Sequence, residues 1–150
     1  MRLLILAAAL MAAACAPTAT TQTPVPPPSN GAVPAPTPSD IALRLGEAQN
    51  GQTVEVAVGQ RFAVELVGVP TAGYVWAPAQ TPAFLRLAGE ATGNTSQAQS
   101  QPGFAGGNHW EVLIFAAEAP GTGELVIEQR RPWETNEPAN QTFRVTIVAR

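Results

Sequence analysis

Within residues 41–150 the apolar residues alternate along several runs rather than recurring every three or four positions, and that period calls for strands rather than helices. Along 61–67, Phe62, Val64 and Leu66 point one way while Arg61 and Glu65 point the other. Leu125 and Ile127 alternate with Glu124 and Glu128, and Phe143, Val145 and Ile147 alternate with Thr142, Arg144 and Thr146. Val54 and Val56 flank Glu55 in the same manner. Successive side chains of an extended chain leave by opposite faces, so each run has one wet face and one dry one. Trp110 to Ala117 is apolar on both faces, as suits a strand inside a sheet. Turn-forming residues separate the runs: Asn50-Gly51, Gly59-Gln60, Pro70 to Gly73, Pro120-Gly121 and Pro138. No stretch carries the spacing of an amphipathic helix.

These signals predict an all-β, immunoglobulin-like β-sandwich of about seven strands over residues 41–150. In order they are A/A′ at 41–57, B at 61–67, C at 73–77, D near 83–88, E at 108–117, F at 123–131 and G at 141–149. A domain of this length buries an adequate core. Trp76, on strand C, is the expected core tryptophan; Tyr74 packs where that strand begins, and His109 sits at a strand edge in a structural role. In such a sandwich the B–C, D–E and F–G loops leave from one end. The D–E connection, from Gly89 to about Asn108, reads as a structureless loop of roughly twenty residues, a length that in a compact domain usually signals function.

Residues 1–14 have the form of a secretory signal peptide: Arg2, an apolar run from Leu3 to Met11, then small residues. The run is too short for a membrane span of about 20 residues. Ala12-Ala13-Ala14-Cys15 resembles a bacterial lipobox, in which the Cys is acylated and becomes the mature N-terminus. That assignment also accounts for one unpaired Cys in a secreted chain. From Cys15 to residue 40 the chain reads as a disordered linker, with Pro at 17, 24, 26, 27, 28, 34, 36 and 38. Such a composition favours extended, polyproline-like backbone. The expected location is the cell envelope, with the domain held to a membrane through its lipid.

Composition narrows the functions open to the folded part. The chain has 8 Arg and no Lys, a net charge of −3 and a pI near 5.1, so it lacks the basic footprint of a nucleic-acid binder. One Cys and one His supply neither a disulfide framework nor the four N/S ligands of a usual zinc site. No metal or cofactor is expected. A nucleophile would have to rely on His109, and Thr71 has no base within its motif, so the chain does not read as an enzyme.

Three loops carry a more specific signal. The B–C segment is Pro70-Thr71-Ala72-Gly73-Tyr74-Val75-Trp76, the D–E loop closes with Gly103-Phe104-Ala105-Gly106-Gly107, and the F–G loop opens with Arg130-Arg131-Pro132-Trp133-Glu134. Together, and in this order, they resemble the chagasin family of cysteine-protease inhibitors. That family has an Asn-Pro-Thr-Thr-Gly-Tyr-like B–C loop, a Gly-rich D–E loop and an Arg-Pro-Trp F–G loop. The resemblance spans 41–150 and implies reversible inhibition of papain-like proteases by a wedge of three loops that fills the active-site cleft. It departs from the pattern at Val69, where the family has Asn, and at Ala72, where it has a second Thr. Asn caps a turn through its side chain and Val cannot, so packing is expected to hold this loop.

The residues suit that role on physical grounds. Pro70 and Gly73 constrain the B–C backbone and leave Thr71 at its tip, and a pre-organised loop loses little entropy on binding. Trp133 beside Pro132 is a hot-spot candidate, and Arg131 is placed to pair with Glu134 or with a partner. Gly103, Gly106 and Gly107 let a second backbone approach closely. The same loops would serve an immunoglobulin-like envelope module that binds a protein or wall component without inhibiting anything. On either reading the domain acts as a monomer.

Overall fold

A computed structural model describes residues 31–150; the expected signal peptide, Cys15 and linker residues 15–30 lie outside them. Eight strands form two four-stranded sheets. They are β1 (Leu43–Leu45), β2 (Thr53–Val56), β3 (Arg61–Gly68), β4 (Val75–Gln80), β5 (Leu85–Asn94), β6 (His109–Ala117), β7 (Gly121–Arg130) and β8 (Gln141–Ala149). One sheet has the order β1-β3-β6-β5 and the other β2-β8-β7-β4, which is the expected all-β sandwich.

The expected A/A′ segment is two strands, one in each sheet, which raises the count to eight. β1 runs parallel to β3, and β2 runs parallel to β8. Between them the chain changes sheets through a 3-10 turn, Glu47–Gln49, and then Gly51, whose φ of +77° favours glycine. Gln49 closes the turn: its side-chain oxygen accepts the Gly46 N–H at 2.8 Å.

The inward positions read from the period-two pattern are the core. Phe62, Val64, Leu66, Leu125, Ile127, Phe143, Val145 and Ile147 are buried between the sheets, joined by Trp76, Leu113 and Phe115. Phe62 and Phe115 stack at 5.7 Å between ring centroids. β6 lies between β3 and β5, the interior place its two-sided apolar character predicts.

Two expectations change. Strand D does not end at residue 88: β5 continues antiparallel to β6 as far as Asn94, opposite His109, so the D–E loop shrinks to 95–108. Ala88, Gly89, Ala91 and Gly93 concealed this continuation, because small residues carry little of the apolar contrast that marks a strand. The linker is also shorter than expected on its C-terminal side. Its described part, 31–40, lies against the outer face of the β1-β3-β6-β5 sheet. There Ile41, Ala63, Val112 and Ile114 form a second buried cluster, with Ala35, Ala88 and Ala91 packed on it. Ala63 and Ile114 leave apolar surface on the sheet's outer side, and covering it stabilises the docked segment.

Candidate functional site

All three loops leave from one end of the sandwich. In the first sheet Gly68 and Asn94 both pair with His109; in the second, Val75 pairs with Arg130 and Gln129 with Gln141. The end of β3, the start of β4 and the D–E and F–G loops therefore share one edge.

A buried polar layer supports that edge. The Trp76 indole N–H donates to the Val67 carbonyl at 3.0 Å, and the Gln129 side chain donates to the same oxygen at 3.3 Å. Gln129 is 1% exposed, and its amide oxygen accepts from the Asn140 side chain at 2.7 Å. Both bonds cross from one sheet to the other just below the loops. Glu111 makes a third link: its Oε2 accepts the backbone N–H of Trp76 at 2.7 Å. Its Oε1 and the Nδ1 of His109 are buried without a hydrogen-bond partner. Burial pushes the Glu111 carboxyl above the ordinary glutamate range; the Trp76 N–H opposes the shift, Glu90 adds to it and His109 opposes it. Gly68 makes room for this carboxylate, since a Cβ there would fall 1.8 Å from Oε1.

On this base the B–C loop forms one 3-10 turn, Pro70–Ala72. Ala72 N–H donates to the Val69 carbonyl and Gly73 N–H to the Pro70 carbonyl, each at 2.9 Å. Val69 and Tyr74 close the loop through two backbone bonds of 3.1 and 3.2 Å. Val69 caps nothing with its side chain, and the turn is closed by these backbone bonds. Pro70, Thr71 and Ala72 are exposed at the tip, with Gly73 and Tyr74 half-buried behind them.

The F–G loop is fastened to the B–C loop. Arg131 Nε donates to the Ala72 carbonyl at 2.9 Å, Nη1 donates to Glu134 Oε1 at 2.9 Å, and the guanidinium carbon lies 4.6 Å from the Tyr74 ring centre. The Trp133 ring covers Gly73: a Cβ built there would lie 2.3 Å from Cη2. Gly73 also has a φ of +84°, so two separate constraints select glycine. Trp133 nevertheless remains 68% exposed, with Pro132 exposed beside it.

The D–E loop shares the edge but is tied elsewhere. A 3-10 turn at Gln97–Ser100 is closed by Gln99, whose side-chain oxygen accepts the N–H groups of Thr95 and Ser96 at 2.7 and 2.9 Å. Beyond it Gly103, Phe104 and Gly107 are exposed and Gly106 is half-buried, and the three glycines have φ between +82° and +97°. The expected loop residues thus fall into a fused B–C/F–G ridge and a separate D–E flank. Sequence reading missed Gln129, Glu111 and Asn140, although Gln129 was detectable as a polar residue on the inward phase of Leu125 and Ile127. His109 lines a cleft of about 460 Å³ with Trp76, Glu90 and Glu111.

A family model described as chagasin family peptidase inhibitor I42 matches residues 55–147. The chain belongs to the chagasin family. Among its relatives, Amoebiasin-1 of Entamoeba histolytica is 31% identical over 109 residues, covering 70% of this chain and 97% of the relative. The crystal structure of the cysteine protease inhibitor EhICP2 from Entamoeba histolytica superposes with a TM-score of 0.63 at 17% identity. That match covers 72% of this chain and 95% of the other. The solution structure of Amebosin gives a TM-score of 0.56 at 25% identity, over 72% and 97% of the two chains. In this chagasin-family chain, the Pro-Thr-x-Gly-Tyr, Gly-rich and Arg-Pro-Trp segments occupy three loops at one edge, as the resemblance implied.

Proposed function

We propose that this chain is a reversible, competitive inhibitor of papain-like cysteine proteases, acting through its loop edge as a plug. Family membership favours inhibition over the envelope-module alternative. The observation that carries the wedge is the fused ridge: Arg131 and Trp133 lock the F–G loop onto the B–C turn and leave Thr71 and the tryptophan face outward. An edge ordered before binding loses less entropy when it enters a cleft. Inhibition of this kind needs no catalytic group on the inhibitor, because the backbone and the aromatic side chain exclude substrate by occupancy.

Titration against papain and a cathepsin L-like enzyme tests the reading. Competitive inhibition at nanomolar to low-micromolar concentration is expected. Thr71→Asp, which sets a charge at the tip that enters the cleft, is expected to raise Ki about tenfold or more. A folded domain that leaves both enzymes active at tens of micromolar would return the envelope-module reading to first place.

For location, we propose an envelope protein acylated at Cys15, supported by the small residues before that Cys and the apolar run preceding them. Cells fed a labelled fatty acid should incorporate label into the wild type and none into Cys15→Ser. Equal labelling of both would exclude the anchor.

A further inference from the structure

The segment 31–41 does more than cover an apolar face: it is bonded to the base of the D–E loop. Val33 N–H donates to the Thr95 carbonyl at 2.9 Å, and Gln97 N–H donates to the Gly31 carbonyl at 2.7 Å, so Ala32 bridges Ser96 as a one-residue antiparallel strand. The Trp110 indole N–H fixes the same stretch by donating to the Val33 carbonyl at 2.7 Å. Further along, the Pro36 ring lies over Gly93, where a Cβ would come within 3.1 Å of it, and the Thr37 hydroxyl donates to Glu65. Ile41, 1% exposed, seals the far end. The segment therefore crosses the sheet from the loop edge to β1, held at both ends.

We infer that residues 31–41 are a strap that positions the D–E loop for inhibition, with Val33 and Trp110 as its positioning residues. The inference rests on the inhibitor reading and adds a component outside the family-matched stretch, 55–147. The D–E loop makes no hydrogen bond to the B–C or F–G loop among the described residues. Its placement depends on its own Gln99 staple, with Gln99 Nε2 and Thr95 Oγ1 donating to the Asn108 carbonyl at 2.7 and 3.0 Å, and on the strap. The staple closes the loop on itself. Only the strap ties its outer flank to the rest of the domain through Gly31 and Val33. A loop held this way is ordered before the protease arrives, whereas a free one must be ordered during binding.

Variants of the full chain separate positioning from folding. Val33→Pro deletes the N–H that Thr95 uses, whereas Val33→Ala keeps it; Trp110→Phe deletes the indole donor and keeps an aromatic ring. Val33→Pro is expected to raise Ki about tenfold, with V33A inhibiting like the wild type and Trp110→Phe in between. Amide hydrogen exchange should show loss of protection at Gln97 in V33P, with the β6 and β7 amides unchanged. Equal Ki for wild type and V33P, with Gln97 deprotected, would overturn the strap's role and leave the inhibitor reading standing. A V33A loss equal to that of V33P would also overturn it, since the N–H would then be irrelevant. A wild-type chain that inhibits no papain-like enzyme would remove the inhibitor reading and the strap's role together.

Discussion

Gly73→Ala should weaken protease inhibition about a hundredfold, more than removal of any exposed loop side chain. The added methyl meets two obstacles. The Gly73 φ of +84° disfavours a side chain, and its Cβ position is 2.3 Å from Cη2 and 2.8 Å from Cζ2 of Trp133. The indole must leave the B–C turn, and the turn itself relaxes toward negative φ. Trp133→Ala alone, which removes the aromatic contact and leaves the turn intact, is expected to cost about thirtyfold, as for a typical hot-spot truncation. In the double variant the methyl meets no ring, so the two losses should combine to less than their product. Ki values for wild type, both single variants and the double variant decide the matter. Wild-type inhibition by Gly73→Ala would show that the Trp133–Gly73 contact is irrelevant to the binding edge.

The second large effect concerns stability. Glu111→Ala should destabilise the domain by about 3 kcal/mol, because it leaves the Trp76 N–H unpaired below the loops and opens a void beside Gly68. Glu111→Gln keeps an acceptor and the volume, and it should remove a pH dependence rather than the fold. The Glu111 carboxyl titrates higher in the folded chain than the ordinary glutamate range, so the native state holds its proton more tightly than the unfolded state. Its contribution to stability is complete below that range and declines as pH rises through the folded value. Urea melts of wild type across mildly acidic to neutral pH should show this decline, superimposed on the other titrating groups, and Glu111→Gln should show a flatter profile. Parallel wild-type and E111Q profiles would refute the assignment.

Alternation made most of the sandwich legible. Where one face is buried and the other wet, as at Phe62-Val64-Leu66 or Phe143-Val145-Ile147, period two translates directly into register. The second half of β5, to Asn94, escaped because its Ala and Gly positions carry little hydrophobic contrast, and its outer face is covered by a segment whose prolines signalled linker. The loops were legible as motifs, but their coupling was not. Nothing along the chain links Arg131 to the Ala72 carbonyl, 59 residues away, or shows that Gly73 must be bare for Trp133 to lie on it. The polar layer was partly hidden for a related reason. Gln129 and Glu111 occupy inward positions that ordinarily take aliphatic residues, and only the facing sheet supplies their partners.

The strap also determines where the leash enters. Because Gly31 is bonded at Gln97, the upstream chain joins the domain at the loop edge proposed to enter the protease cleft and not at the opposite pole. Between Cys15 and that point lie residues 16–30, which span at most roughly 55 Å when fully drawn out. A protease of some 220 residues is about 45 Å across. If Cys15 is acylated, as proposed, the loop edge lies within that span of the membrane, little more than one such enzyme's width. An anchor of that length would confine the proposed plug to proteases within reach of the membrane surface.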